Sequence, residues 1–141
     1  MLVKPNDSML ESRAPFSRVV TAIAPSAREV AQAEHRFAEW NAMIEMLRGW
    51  QANPRRAIDE DYDAPSQAAI GLALDLARAS RDAGGPSATR MSPTGDGGIA
   101  FEWRRPQGLV EIEIETDGAA ELRVFVGTRL VRRLPLSSLS S

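Results

Sequence analysis

The chain contains no cysteine, and Lys4 is the only lysine among its 17 basic residues. Without cysteine, disulfides, thiolate metal sites and cysteine nucleophiles are all excluded. The chain also lacks a long apolar run, because no window approaches the roughly 20 apolar residues that a membrane-spanning helix requires. The first 25 residues, which include Asp7, Glu11 and Arg13, do not resemble a signal peptide. We therefore expect a cytoplasmic protein with no membrane contact.

The chain also has no strong excess of either charge. Its 17 basic and 19 acidic residues are interspersed and give a formal charge of −2. No cluster of basic residues is present to bind phosphates, so we expect no nucleic-acid partner. The 141 residues, 43% of them apolar, suffice for one modest core. The composition predicts a single folded domain over 26–135, between a weakly ordered arm at 1–25 and a frayed tail at 136–141.

A first helix is predicted over about residues 26–50. Ser26 and Glu29 have the spacing of a capping box, in which each side chain bonds the other residue's backbone N–H. Apolar residues then follow at intervals of three and four, which places them along one stripe of the helix: Val30, Ala33, Phe37, Trp40, Ile44 and Leu47, widened by Met43, Met46 and Trp50. Trp40 fits a core position, whereas Trp50 lies beside Gly49 and is expected to be half exposed.

A second helix is predicted over about residues 64–83. Asp63 can cap it and Pro65 fits its first turn, where the missing N–H costs little. Its many alanines, with Leu72 and Leu76, favour close packing against a neighbour. Residues 84–86, Gly-Gly-Pro, end the helix.

Beyond Pro86 the apolar period changes to two, which predicts an antiparallel β-meander of three to five strands over about 87–134. If residues 105–108 form a loop, Trp103 faces Val110 and all the large apolar groups share one face. If residues 116–118 form a loop with a left-handed glycine, Ile112 faces Leu122 on that same face. A short strand around 87–91 and a last strand ending before Pro135 are also expected. The predicted fold is α+β, with both helices packed on the meander.

One segment resembles a family of short uncharacterised bacterial proteins. Residues 93–103 have the pattern Pro-x-x-Asp-Gly-Gly-Ile-x-x-Glu-Trp, which opens a β-meander in those proteins after a helix that begins with Ala-Pro-Ser, here residues 64–66. The similarity covers about residues 62–135. It implies this fold and carries no established activity. Such proteins can be one half of a two-gene cassette of toxin–antitoxin type, which implies a protein partner encoded nearby.

Three features that suggest chemistry have simpler explanations. His35, the only histidine, lies on the polar side of the first helix and has no partners for a catalytic triad. The alternating acids of 59–63 lack the glycine and glutamate of a calcium loop, and fit a solvated loop. The glycine-rich segment 95–98 precedes a strand, whereas phosphate-binding loops precede a helix, so a tight turn is expected. We predict no catalytic residue, cofactor or metal site.

The remaining pattern favours a non-enzymatic protein-interaction module, the accessory or neutralising partner in a bacterial two-gene cassette. Candidate partner-binding residues lie on the helical stripe and on the polar face of the sheet: Phe37, Trp40, Met43, Met46, Trp50, Asp96, Glu102, Glu111, Glu113 and Arg123. Two alternatives stay open, a small hydrolase that uses the strand carboxylates and a self-assembling component built on the first helix, through which a homodimer is possible.

Overall fold

A computed structural model describes residues 25–136. The chain divides into two units, the first ending at Glu34 and the second beginning at His35. The predicted arm, except for Pro25, and the predicted tail, except for Leu136, lie outside the described residues. The elements are helices α1 (Ala27–Ala52) and α2 (Gln67–Asp82), a 3-10 helix (Pro54–Ala57), and strands β1 (Arg90–Pro93), β2 (Ile99–Arg105), β3 (Gly108–Ile114), β4 (Ala120–Val126) and β5 (Arg129–Pro135).

In the first unit the predicted capping box starts α1. The Ser26 N–H donates to Glu29 Oε1 at 2.9 Å, and the Glu29 N–H donates to Ser26 Oγ at 3.1 Å. These two bonds satisfy backbone donors that have no partner within a helix end. The predicted start of the helix is confirmed.

In the second unit the five strands form one antiparallel sheet in the order β1-β2-β3-β4-β5. Trp103 pairs with Val110 and Ile112 pairs with Leu122, as predicted. The first loop is shorter than the predicted 105–108, because Arg105 and Gly108 pair with each other within β2 and β3. The α+β fold with a β-meander is therefore confirmed. The predicted limits of the outer strands differ slightly, because β1 begins at Arg90 and β5 extends to Pro135. At the end of a strand a proline loses only one N–H donor from the ladder.

One face of the sheet is buried under helix residues of the same unit. The buried apolar residues are Trp40, Ile44, Leu47 and Trp50 of α1, Ala69, Ile70, Ala73, Leu74 and Ala77 of α2, Ala88, and Ile99, Phe101, Ile112 and Ile114 of the sheet. The expectation that Trp50 is half exposed is wrong, since only 8% of it is exposed. The helix continues to Ala52, so Trp50 follows Leu47 by three residues on the buried side.

An aromatic cluster joins α1 to the sheet. The Trp40 ring lies 6.2 Å from Phe101 and 6.3 Å from Trp103, measured between ring centroids. The Trp40 indole N–H donates to the Gly85 carbonyl at 3.1 Å, and the Trp103 indole N–H donates to the Pro86 carbonyl at 3.0 Å. Both indole donors are thus satisfied, and both bonds hold the connection between α2 and β1.

The predicted cap of α2 is wrong, because Ser66 caps this helix and Asp63 does not. The Ser66 Oγ accepts from the Ala69 N–H at 3.0 Å. Asp63 instead forms an isolated β-bridge with Asp96, and its N–H donates to the Gly95 carbonyl at 3.0 Å. Proline disfavours helical backbone in the residue before it, which keeps Ala64 out of the helix. Pro65 itself precedes the Ser66 cap and so lies outside the first turn predicted for it.

Ser66 also ties the start of α2 to the sheet. Its N–H donates to the Gly97 carbonyl at 3.0 Å and its Oγ donates to the Thr116 carbonyl at 2.6 Å. We call these two bonds, with the Asp63–Gly95 bond, the clasp. The clasp brings together the two segments that carry the family resemblance. The turn at 95–98 is confirmed, with Gly95 and Gly97 at φ of 94° and 98°.

We expect Ser66→Ala to lower the free energy of unfolding by about 2 kcal/mol, since it removes a helix cap and a tertiary hydrogen bond together. Ser26→Ala is the matched control, because it removes an exposed cap in the other unit and should cost about 0.5–1 kcal/mol. Urea denaturation followed by circular dichroism measures both losses. Equal losses would contradict a role of Ser66 in joining α2 to the sheet.

Gly98→Ala is expected to destabilise the protein by about 2 kcal/mol or more, because an added Cβ would overlap the Ile114 backbone carbonyl. Gly71→Ala, inside α2, should stabilise it by about 0.5–1 kcal/mol, since glycine is a poor helix former. An added Cβ at Gly71 meets nothing within 4 Å. Thermal melts should show a lower Tm for Gly98→Ala and a higher Tm for Gly71→Ala than for the unmodified protein.

Candidate functional site

The face of the sheet that points away from the helices carries a row of charged side chains. Residues opposite one another in an antiparallel sheet share a face. Register places Arg90 opposite Glu102, Glu102 opposite Glu111, Glu111 opposite Arg123 and Arg123 opposite Arg133; Glu113 and Glu121 form the adjacent pair. We call Glu102, Glu111, Glu113, Glu121, Arg123 and Arg133 the charged face.

Arg123 lies at the centre of the charged face and contacts three carboxylates. Its Nη1 lies 2.5 Å from Glu113 Oε1 and 3.4 Å from Glu111 Oε1, and its Nε lies 2.8 Å from Glu121 Oε1. Arg133 donates two further bonds of 3.1 Å to the Glu121 carboxylate. This bidentate pairing fixes the side chains in one arrangement.

The two carboxyls at the ends of this network have opposite pKa shifts. Burial raises the pKa of Glu111 above its ordinary 4.5; Arg123 opposes this effect, and the nearby Glu113 and Glu102 add to it. Hydrogen bonds from Arg123 and Arg133 lower the pKa of Glu121 below 4.5. The hydrogen bond with Glu121 also raises the pKa of Arg123. Charge on Glu121 therefore favours the fold, whereas charge on Glu111 opposes it.

The candidate residues of α1 fall into two groups. Phe37 and Met46 are 47% and 50% exposed, and Met43 is half buried. Trp40 and Trp50 lie in the core, so their assignment to a partner-binding surface does not fit this structure, because the sheet and α2 already use that side of the helix. The Arg81 guanidinium lies 5.2 Å above the Phe37 ring, a cation–π contact that partly covers the ring.

Asp96 is exposed and does not join the charged face. It lies in the turn of the clasp, where its carboxylate accepts a hydrogen bond from the Thr94 hydroxyl. The acidic loop 59–63 is held by Arg55, whose guanidinium donates to the carbonyls of Asp59 at 3.3 Å and Tyr62 at 2.5 Å. Among residues 25–136 no cluster of potential ligands is arranged to hold a metal ion. His35 is exposed, with Nε2 3.2 Å from Glu39 Oε2.

Two members of the charged face, Glu121 and Arg133, were absent from the residues predicted to bind a partner. Glu121 could have been found, because it alternates with Arg123 on the same side of β4. Arg133 could not be assigned to a face, because a register irregularity between Val124 and Phe125 changes the alternation along β5.

Comparison with protein-family models, curated proteins and solved structures finds no match for this chain. None of the described helices is both long enough and apolar enough to cross a membrane.

Glu111→Gln and Glu121→Gln are expected to change stability at pH 7 in opposite directions. Glu111→Gln should leave the free energy of unfolding unchanged or raise it slightly, since it removes a charge that burial disfavours. Glu121→Gln should lower it, since the ionised carboxylate is the form that both arginines bind. Chemical denaturation of both variants at pH 7 measures this difference.

The same shifts set the pH dependence of the unmodified protein. The pKa of Glu111 is raised in the folded state, so the stability that this group contributes is present below pH 4.5 and is lost as the pH rises through its folded pKa. The pKa of Glu121 is lowered in the folded state, so the stability that this group contributes is present above pH 4.5 and is lost as the pH falls through its folded pKa. Glu111→Gln should flatten the profile above pH 4.5, and Glu121→Gln should flatten it below. Identical profiles for the two variants would contradict these assignments.

Proposed function

We propose that this chain is a non-enzymatic protein-interaction module, the accessory or neutralising partner of another protein encoded beside it in a bacterial cassette. The observation that carries the proposal is the charged face, an ordered set of six charged side chains on the side of the sheet away from the helices. Such a surface offers a partner fixed charges of both signs, and charge complementarity gives specificity and fast association.

The arrangement of the charged face supports recognition more than stability. Glu102 lies directly opposite Glu111, and Glu113 directly opposite Glu121. Like charges in directly opposed positions disfavour strand pairing. Arg123 and Arg133 offset part of that repulsion and fix the side chains. A complementary partner would then meet side chains that lose little freedom on binding.

Co-expression with the product of the neighbouring gene tests the proposed function. We expect one complex in size-exclusion chromatography with light scattering, and relief of any growth inhibition that the neighbour causes alone. Separate elution of the two proteins at micromolar concentration would overturn the proposal.

Glu102→Lys tests whether the charged face is the binding surface. It should change stability little, because a lysine pairs favourably with Glu111 on one side but faces Arg90 on the other, so the two changes oppose each other. It should weaken binding about tenfold, since it reverses a charge that the partner meets. The matched control is the pair Phe37→Ser and Met46→Ser on α1, which should leave binding unchanged. Loss of binding only in the α1 pair would place the partner on the helix.

The hydrolase alternative has one observation in its favour, the raised pKa of Glu111. A general acid needs such a shift, but the Arg123 guanidinium lies 3.4 Å from Glu111 Oε1 and opposes the rise in its pKa. If a turnover is found, changing Glu102, Glu111 and Glu113 to glutamine should abolish it. Self-association through α1 is checked by light scattering over a dilution series, and a homodimer remains a prediction.

A further inference from the structure

The two edges of the sheet differ in length and protection. β1 has four residues and ends at Pro93, which shortens the row of backbone groups it offers. β5 has seven residues, all of them exposed. In the part of the chain that the structure describes, no strand pairs with the free side of β5. Alternate residues of an edge strand point their N–H and C=O groups away from the sheet, so β5 can accept a further strand.

The side chains of β5 combine large apolar groups with positive charge. Leu130, Val131 and Leu134 are each 40–46% exposed. Arg129 and Arg132 form no ion pair with any residue in 25–136, and Arg133 reaches one carboxylate, that of Glu121. An added strand would therefore lie beside both apolar side chains and arginines.

These charges disfavour a second copy of the chain as the occupant. Two β5 strands that pair with each other bring together six arginines, three from each copy. Like charges across a strand pair oppose its formation, and charged edge residues commonly prevent such self-pairing. A strand in which acidic and apolar residues alternate meets no such repulsion. Pairing with Val126 and Val124 places Arg129 and Arg132 on one face of β5, where the carboxylates can lie. Pairing with Phe125 places Leu130 on the other face, beside the apolar side chains.

From these observations we propose that β5 is the docking edge for an extended acidic and apolar segment of a partner protein, which adds to the sheet as a sixth strand. This inference rests on the proposed function and specifies how the partner binds. Main-chain hydrogen bonds along β5 supply part of the affinity, and Arg129 and Arg132 select an acidic segment.

The probe is a fluorescein-labelled peptide of about eight alternating glutamate and valine residues, long enough to span one strand. It is titrated with the full chain and followed by fluorescence anisotropy. A lysine and valine peptide of the same length tests charge selection, and we expect it to bind at least about tenfold more weakly. A third peptide, N-methylated at alternate residues, keeps every carboxylate but loses the N–H groups of one edge. It should also bind about tenfold more weakly.

The variant is the pair Arg129→Glu and Arg132→Glu, which should weaken binding of the glutamate and valine peptide about tenfold. The matched control, Arg48→Glu with Arg56→Glu, makes the same change in net charge at exposed residues away from the sheet. It should change the affinity less than about twofold at physiological salt, where charges act over about 8 Å. Melting curves check that both variants remain folded.

Equal binding of the acidic and basic peptides, or of the methylated and unmethylated ones, would overturn the edge assignment. So would dimerisation of the chain that the β5 variant abolishes, since the occupant would then be a second copy. If the β5 variant binds the neighbouring gene's product with unchanged affinity, the edge assignment fails and the proposed function stands. If the peptide results hold and no complex with that product forms, the proposed function fails and β5 remains a strand-binding edge.

Discussion

The fold depends on keeping one apolar face of the sheet out of water, and Trp40 lies at the centre of the cover. Its ring contacts Phe101 and Trp103, and burial of such surface contributes about 25 cal/mol per Å². The indole N–H would be costly to bury without a partner, and the Gly85 carbonyl supplies one. Packing and hydrogen bonding therefore select the same residue at this position, and they also anchor the connection that leads from α2 into the sheet.

The position of the charged face follows from this buried face. Successive side chains of a strand point to opposite sides, so burying Phe101 and Ile112 under the helices turns Glu102, Glu111 and Glu113 outward. The clasp fixes α2 against the start of β2, where Ser66 donates hydrogen bonds to the carbonyls of Gly97 and Thr116. Core packing thus decides which charges lie on the outer face of the sheet.

The charged face and β5 differ in how many carboxylates their arginines contact. Arg123 contacts three carboxylates, which leaves it little capacity for a partner's acidic group. Arg129 and Arg132 have no such contacts within residues 25–136, and they lie on an edge whose backbone is also open. Unpaired positive charge and open backbone hydrogen-bonding groups therefore occur together at β5, a combination that suits the proposed acidic extended segment better than a rigid surface.

Local sequence patterns predict the helix periodicity, the alternation of β2 to β4 and the register across both hairpins, because these depend on residues close together in the chain. The sequence pattern predicts Asp63 as the cap of α2, which is wrong. Capping propensity cannot reveal that the Asp63 N–H donates to the Gly95 carbonyl, a contact between distant segments. Three features could be read only from the folded chain: Trp50 is covered, Arg123 contacts three carboxylates, and the register between β4 and β5 is irregular. Those outcomes depend on contacts between distant segments, and local pattern carries no information about which segments meet.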